Sequence, residues 1–301
     1  MLKVDIQLAV ENTYSKDKIK KYIMDDLSTL PEITDKCKQA VELITDYMNK
    51  TYSYTSKNDR LSHLVNLDLE SVVDEIVCAV MGIREYEMYT SIVGKLAPIL
   101  KFPDLADGVK TIAEILAVVC ETDLYDIVPA NISPIGVIVI KPNYILDEKV
   151  FNYIDNTMYL PPMVSAPQKL TCNTDSAYLT IKRDALILGG RHNQHDGNIR
   201  LDSLNKFNSI PLSLDENMLR QYSEEVPDKI VKKEDREQYI RMIKKSYTVY
   251  AMLVQAGNEF HLPHKPDKRG RIYSQGYHVS TQGNSFKKAI INLHQEEIIE
   301  G

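Results

Sequence analysis

The sequence lacks several patterns that would place it quickly in a class of proteins. No run approaches the roughly 18 apolar residues of a membrane-spanning helix, and the opening segment lacks the basic start and apolar core of a secretory signal. The four cysteines form no C-x-x-C pair, which excludes a zinc ribbon, and a disulfide framework is not expected at 301 residues. These absences predict a soluble protein of a reducing compartment, namely the cytoplasm, or the host cytoplasm if the protein is viral.

Motifs for common small-molecule chemistry are missing as well. No phosphate-binding loop or dinucleotide fingerprint occurs. The histidine pairs His192–His195 and His261–His264 have no acid or thiol at ligand spacing, so we interpret all four as loop histidines. No carboxylate pair suits two-metal phosphoryl transfer, and the H-D-G triplet at 195–197 is interpreted as loop composition. We therefore predict no catalytic residue and no metal ligand in this chain.

The charge of the chain is unevenly distributed. The composition is that of a globular protein, with 44% hydrophobic and 26% charged residues, and the net charge is −6. Between Lys229 and Lys288, however, 13 Lys and Arg face 5 Asp and Glu, a net charge of +8, which leaves −14 for the rest. Two interpretations stay open here: a solvated basic helix face, or a surface for an acidic partner such as nucleic acid.

Hydrophobic spacing predicts helices over roughly the first 130 residues. Apolar residues recur at helical spacing over 37–48 and over 105–119. The β-branched run Ile135–Ile140 predicts a strand, and helix returns over Tyr144–Met158. The proline-rich segment Leu160–Pro167 is expected to cross the molecule without regular structure.

The second half predicts a hairpin followed by two helices. Residues 178–188 indicate two short strands that fold back around Lys182–Asp184. A capping box of Ser213 with Glu216 predicts a short helix. A longer helix is expected from about Asp228 to Ala256, with Gly257 after its end. Its predicted apolar face consists of Ile240, Ile243, Tyr247, Tyr250 and Val254. Six basic residues lie on the other faces of this predicted helix: Lys232, Lys233, Arg236, Arg241, Lys244 and Lys245.

The most informative motif is Arg269-Gly270-Arg271. It places two permanently charged side chains, with five donors each, around a residue that has no Cβ. This suits a backbone lying against a phosphodiester chain, with guanidinium groups reaching phosphates or the minor-groove edge. Because the minor-groove edge presents a degenerate pattern of donors and acceptors, such contacts would hold DNA of any sequence. Taken alone, an R-G-R triplet is equally typical of an exposed basic turn between strands.

With its surroundings, the motif resembles the start of the palm in the single-subunit, phage and mitochondrial-type DNA-directed RNA polymerases. Asp267-x-Arg-Gly-Arg-Ile-Tyr273 is followed by Gln282-Gly-Asn-Ser-Phe-Lys-Lys288, like the family's D-x-R-G-R, Tyr and glutamine-glycine turn. A repair-type DNA polymerase fragment would read T-x-x-G-R, and Asp267 with the Ile272-Tyr273 pair speaks against it.

Upstream blocks follow the same family order. They are the proline crossing at 160–167, the segment 202–214 with Leu212 where the family has Trp, and the helix end at 255–258. The resemblance covers roughly Asp107–Ala289, and the helices before it are only loosely alike.

The resemblance implies a mainly α fold with a smaller α+β part. It comprises a helical N-terminal domain at 1–212 with a β-hairpin near 177–188, short thumb-like helices at 213–257, and the first strands of a right-hand polymerase palm at 258–301.

It also implies a divided enzyme. The family's two metal-binding aspartates lie far downstream of the glutamine-glycine turn, whereas the sequence given runs only 17 residues past Asn284. The chain thus resembles the small subunit of a two-chain phage RNA polymerase that is inactive by itself. Mg²⁺ would be bound by the second subunit, and the other implied partners are template DNA, nascent RNA and, left open, a DNA-opening accessory protein, with no membrane. The alternative is a non-catalytic nucleic-acid-binding or interaction protein derived from a polymerase fold.

Site roles follow from the resemblance at the matching positions. Arg269, Gly270 and Arg271 would hold the template and the RNA–DNA hybrid. Asp267 would orient an arginine, and Tyr273 would pack rather than touch nucleic acid.

Four further positions would lie near the bound strands. Gln282, Gly283 and Asn284 would form a turn near the hybrid or template, and Lys288 would lie near RNA or the incoming nucleotide, with Lys287 a less certain candidate.

The predicted hairpin resembles the intercalating hairpin that wedges the upstream edge of an opened duplex, although a plain structural hairpin is an equal alternative. Its candidate residues are Tyr178, Lys182, Arg183 and Leu186.

Only seven residues separate Leu100 from Gly108, where promoter-dependent relatives carry a loop that grips upstream DNA. We therefore expect initiation to favour single-stranded or premelted DNA.

Overall fold

The chain folds into two compact units. The computed structural model describes residues 2–131, 136–182, 185–189, 197 and 199–295. One unit is Lys16–Asp155, called here the 16–155 unit, and the other, called the C-terminal unit, joins Met1–Ser15 to Asn156–Gly301. The fold is mainly α-helical with a few small antiparallel sheets, which confirms the coarse prediction. The predicted boundaries at 212 and 257 both fall inside the C-terminal unit.

Helix α1 (Lys3–Thr13) belongs to the C-terminal unit, and most other helices before residue 156 form the 16–155 unit. These are α2 (Lys16–Leu27), α3 (Pro31–Asn49), α4 (Thr55–Leu64), α5 (Leu69–Met81), α6 (Tyr89–Leu96), α7 (Leu105–Val119) and α8 (Glu148–Asn156), with 3₁₀ turns at Ala97–Leu100 and Cys120–Thr122. No helix of the described ranges is both long and apolar enough to cross a membrane.

The helical stripes predicted from the sequence are confirmed in part. Cys37, Val41, Met48 and Val109 are half-buried against the core, and Leu105 is exposed. In α3 and α7 the side chains of Ile44, Ile112 and Leu116 are fully buried in one hydrophobic core. Each of α5 and α7 begins at an aspartate cap: the Asp68 carboxylate accepts from the Ser71 N–H, and that of Asp104 accepts from the Ala106 N–H at 3.0 Å. The apolar period and the caps together account for these helices.

The 16–155 unit also contains a three-stranded antiparallel sheet. Its strands are β1 (Glu87–Met88), β2 (Tyr125–Ala130) and β3 (Val137–Pro142), in the order β1-β3-β2. The predicted strand Ile135–Ile140 corresponds to β3, although Ile135 lies outside the described residues. Strand β2 was not predicted, because most of its side chains are half-buried or exposed and give no alternating pattern.

The C-terminal unit contains shorter elements. They are α9 (Leu201–Ser209), β4 (Leu212–Leu214), α10 (Glu216–Gln221), α11 (Lys233–Gln255), β5 (His264–Pro266), β6 (Ile272–Ser274), α12 (Ser285–Ala289) and β7 (Ile291–Leu293). Strand β4 pairs with β7, and β5 pairs with β6, both antiparallel. Their main core contains Val249, Tyr250, Leu253 and Phe260.

Two buried polar side chains attach α1 to the C-terminal unit. The Glu11 carboxylate accepts from the backbone N–H groups of Leu179 at 2.9 Å and Thr180 at 2.6 Å, and from the Thr180 hydroxyl at 2.7 Å. Gln7 donates to Glu11 and accepts from the Val164 N–H, both at 2.9 Å. The first helix therefore packs with residues more than 150 positions later, which explains why the predicted 1–212 domain is not one unit.

The predicted hairpin near 177–188 is not formed by the described residues of that segment. No strand occurs at 177–182 or 185–188. The N–H groups that would pair with a second strand donate to other acceptors. Those of Leu179 and Thr180 donate to the Glu11 carboxylate, and that of Leu186 donates to the Asn173 carbonyl at 2.9 Å. The prediction was wrong because a distant carboxylate satisfies this backbone.

The helices of the C-terminal unit differ in detail from the sequence prediction. Asp215, not Ser213, caps α10 by accepting from the Met218 N–H at 2.9 Å. Helix α11 starts at Lys233, and Gly257 follows its end at φ +105°, as predicted. Its buried face is Ser246, Val249, Tyr250 and Leu253, rotated from the predicted stripe, and no side chain before Ser246 in this helix is buried.

Candidate nucleic-acid interface

The R-G-R motif forms the turn between β5 and β6. The strands end at the Pro266–Ile272 pair, and the Asp267 N–H donates to the Arg271 carbonyl at 2.8 Å. The Gly270 N–H donates to the Asp267 carbonyl at 3.0 Å, with φ of +81° at Gly270. That left-handed conformation favours glycine, so the residue between the arginines is required by the shape of the turn.

The Asp267 carboxylate organises this turn. Oδ1 accepts from the backbone N–H groups of Arg269 at 2.8 Å and Arg271 at 2.9 Å, and Oδ2 accepts from the Arg269 guanidinium at 3.1 and 3.2 Å. Although desolvation opposes the shift, the hydrogen bonds from Arg271 and Arg269 lower the pKa of Asp267. The carboxylate thus stays charged and holds both arginine backbones in place.

The basic side chains of the turn point to solvent. Lys268, Arg269 and Arg271 are exposed. Tyr273 is half-buried, and its hydroxyl lies 3.4 Å from Asp267 Oδ2, so this side chain packs behind the turn. Two guanidinium groups and an ammonium group are therefore presented together from one short loop.

The glutamine-glycine turn lies beside the R-G-R strand. Gln282 Nε2 donates to the Ile272 carbonyl at 2.9 Å, which fixes the turn against β6. A Cβ added at Gly283 would lie 2.9 Å from the Lys287 Cβ and 3.3 Å from the Ser280 carbonyl oxygen. Gly283 is therefore needed for packing within the protein.

Asn284 connects this turn to helix α11. Its Oδ1 accepts from the Lys287 N–H at 2.9 Å and so caps α12, while its Nδ2 donates to Glu224 Oε1 at 2.6 Å and contacts the Tyr239 hydroxyl at 3.2 Å. Tyr239 lies on α11 and also donates to Glu224 at 3.0 Å. The Asn284 side chain is therefore hydrogen-bonded to other groups of the protein, although the residue is exposed. The resemblance predicts this residue near the hybrid or template.

The two adjacent lysines of α12 have different environments. Lys287 is buried, its Nζ donates to the Tyr277 carbonyl at 2.8 Å, and it lies 4.1 Å from the centre of the Tyr277 ring. Burial lowers the pKa of Lys287, and nearby Glu224 opposes that shift. Lys288 is exposed and available to a ligand.

Helix α11 adds a row of cations to the same unit. Of the six basic residues predicted there, Lys245 is half-buried. The other five are exposed: Lys232, which directly precedes the helix, Lys233, Arg236, Arg241 and Lys244. The C-terminal unit has 21 Lys and Arg against 19 Asp and Glu, whereas the 16–155 unit has 15 against 23. The 16–155 unit is therefore the more acidic of the two, with a net charge of −8 against +2, and the basic stretch Lys229–Lys288 belongs to the C-terminal unit.

The candidates for an intercalating hairpin do not form a wedge. Tyr178 and Leu186 are buried, the latter in a small core with Leu170, Ala177 and Leu204. Lys182 is exposed, and Arg183 lies outside the described residues. Buried side chains cannot stack on a base pair, so the hairpin assignment is corrected for Tyr178 and Leu186.

The histidine pairs show no metal-binding geometry where they are described. His261 is buried and its backbone pairs with that of Met163, whereas His264 begins β5 with Nδ1 3.1 Å from Asn208 Oδ1. Both belong to paired backbone rather than to the loops predicted, and burial lowers the pKa of each. His192 and His195 lie outside the described residues, and the described part of the chain contains no group of three or more His, Cys, Asp or Glu able to hold a metal.

Sequence reasoning missed two hydrogen-bond partners of the site, the buried Glu224 and the half-buried Tyr239. Glu224 and Tyr239 lie 60 and 45 residues before Asn284, and no motif marks them. Comparison with models of known protein families gives no match to the chain, and no curated protein is significantly similar to it. The family resemblance therefore depends on the motifs alone.

Proposed function

We propose that this chain is the small subunit of a two-chain DNA-directed RNA polymerase. In this proposal it holds template DNA and the RNA–DNA hybrid, and its segment from residue 258 onward begins the palm, with α10 and α11 as a short thumb. A second chain supplies the aspartates that bind Mg²⁺, and nascent RNA leaves along the shared surface. The isolated chain has no polymerase activity.

One observation supports this proposal most directly. Arg269 and Arg271 are presented from a turn that the charged Asp267 carboxylate holds in shape, and Gln282 ties that turn to a second loop followed by the exposed Lys288. Cations on an ordered backbone can follow the phosphates of a hybrid without reading its sequence. A translocating enzyme requires that indifference to sequence.

A non-catalytic nucleic-acid-binding protein is the second candidate. The exposed cations of α11 and of the R-G-R turn support this candidate as much as they support the polymerase, since they would bind phosphates without any second chain. Such a protein would bind hybrid with steep salt dependence and support no RNA synthesis.

The variant Arg271→Ala separates the two candidates. In the polymerase, it should abolish RNA extension by the two-chain complex, reduce the salt slope of hybrid binding by about one, and leave subunit association intact. Arg220→Ala is the matched control, because Arg220 is also exposed in this unit and forms an ion pair with Glu216 on its own helix. A loss of association together with activity would show that Arg271 acts at the subunit interface.

A further inference from the structure

A cleft of about 480 Å³ opens on the 16–155 unit between helices α2, α3 and α5. Its floor is apolar: Leu27, Ile33 and Val73 are buried there, and Met24 and Val41 are half-buried. This volume lies within the range of sites that hold a ligand or a few side chains of a partner. The role proposed for the R-G-R turn, in a polymerase or in a nucleic-acid-binding protein, does not involve this cleft.

The rim of the cleft is acidic. Glu42 and Glu70 are exposed on it, with Lys38 as the cation among the lining residues. Asp74 is half-buried at the cleft, and the Lys20 ammonium lies 3.5 Å from its carboxylate. The Lys38 ammonium lies 3.6 Å from Asp35, so its charge is partly offset. The whole unit carries 15 Lys and Arg against 23 Asp and Glu. A polyanion such as nucleic acid is repelled from such a rim, whereas a cationic segment is attracted.

We propose that this cleft is a docking site for a protein segment that inserts large apolar side chains and carries Lys or Arg beside them. Walls formed by three helices suit an amphipathic helix whose apolar residues recur at i, i+3, i+4 and i+7. The apolar anchors would contact the half-buried Met24 and Val41 above the buried floor, and the flanking cations would face Glu42 and Glu70. The site does not depend on the proposed polymerase function, because it lies in a different unit from the R-G-R turn.

The test uses the full chain and three labelled peptides. The first is a 16-residue amphipathic helix with Leu at i, i+3, i+4 and i+7 and Lys and Arg on its flanks, the second replaces the cations with Glu, and the third keeps the cations but replaces Leu with Ser. Fluorescence anisotropy gives the affinity of each, and methyl NMR spectroscopy locates the binding. The first peptide should bind at least tenfold more tightly than either of the others and should shift the methyl signals of Ile33, Val41 and Val73.

Charge reversal at the rim completes the test. The double variant Glu42→Lys, Glu70→Lys should weaken binding of the first peptide at least tenfold. Glu85 is also exposed but does not line the cleft, so Glu85→Lys should change the affinity for this peptide less than twofold. Both rim residues are exposed, so the variants should fold. The proposal is overturned if the Ser peptide binds as well as the Leu peptide, if the rim variant has no effect, or if the methyl shifts lie outside the cleft.

Discussion

The Asp267 carboxylate accepts the Arg271 backbone N–H at 2.9 Å and thereby fixes the direction in which that arginine leaves the β5–β6 turn. The same oxygen accepts the Arg269 N–H at 2.8 Å. One acidic side chain thus orders two basic ones, and the spacing D-x-R-G-R is explained by this local geometry. An exposed basic loop without the aspartate would carry one more net positive charge and far less order.

Removing the ordering group should weaken binding even though it removes a negative charge. Asp267→Ala leaves the two arginine N–H groups to water, and we expect the affinity for the hybrid to fall about tenfold. Asp267→Asn keeps the acceptor and should retain most of the affinity. Filter binding of a labelled RNA–DNA hybrid measures both. Hybrid affinity of the alanine variant equal to or above that of the wild type would show that the carboxylate only offsets charge.

Glycines at two positions should respond oppositely to alanine. Gly283→Ala brings a Cβ to 2.9 Å from the Lys287 Cβ, and we expect a loss of about 1–3 kcal/mol in the free energy of unfolding. Gly94→Ala lies in helix α6 with no atom within 4 Å of the new Cβ, and should gain about 0.5–1 kcal/mol. Urea unfolding followed by circular dichroism gives both values. An unchanged stability for Gly283→Ala would contradict the packing account of the glutamine-glycine turn.

Stability should depend on pH through Glu11. Desolvation raises the pKa of this buried carboxyl, but hydrogen bonds from Thr180, Gln7 and the Leu179 and Thr180 N–H groups outweigh it, so the pKa lies below the ordinary 4.5. A lowered folded-state pKa contributes stability above the unfolded-state value, and this contribution is lost as pH falls through the folded-state value. Glu11→Gln should therefore be destabilised by about 2 kcal/mol at pH 7, with the difference from wild type shrinking below about pH 4.5.

The control for this prediction is Glu225→Gln, an exposed glutamate of the same unit. Its unfolding curve should match that of the wild type at every pH. A Glu11→Gln deficit that stayed constant from pH 7 to pH 3 would show that the carboxylate charge is not what stabilises the contact.

Template preference should reflect the short connection before α7. The 3₁₀ turn ends at Leu100 and α7 begins at Leu105, so no extended loop is present there to grip upstream duplex. If the chain acts in a polymerase, initiation should be several-fold better on single-stranded or premelted DNA than on closed duplex, because affinity scales with the phosphates neutralised. Equal initiation from both templates at 0.1 M salt would contradict this expectation.

Local patterns predicted the local structure well. The buried centres of the α3 and α7 stripes and the end of α11 before Gly257 each depend on residues within a few positions of one another. Such features follow from helical period and capping chemistry, which a sequence displays directly.

Contacts between distant residues could not be predicted. The Glu11 carboxylate meets Thr180, 169 residues later, and this contact turns a predicted hairpin into irregular backbone. Asn284 is held by Glu224 and Tyr239 for equally non-local reasons. No periodicity encodes which buried carboxylate will satisfy which backbone, since that depends on the topology of the whole unit.

RNA extension on a preformed RNA–DNA scaffold, with Mg²⁺ and nucleotides, tests the central claim most directly. The assay compares this chain alone with material co-purified from its natural cell, and mass spectrometry identifies any second chain. The account predicts extension only in the co-purified sample, together with a partner that carries the metal-binding aspartates. Extension by the chain alone, or no extension in either sample, would contradict it.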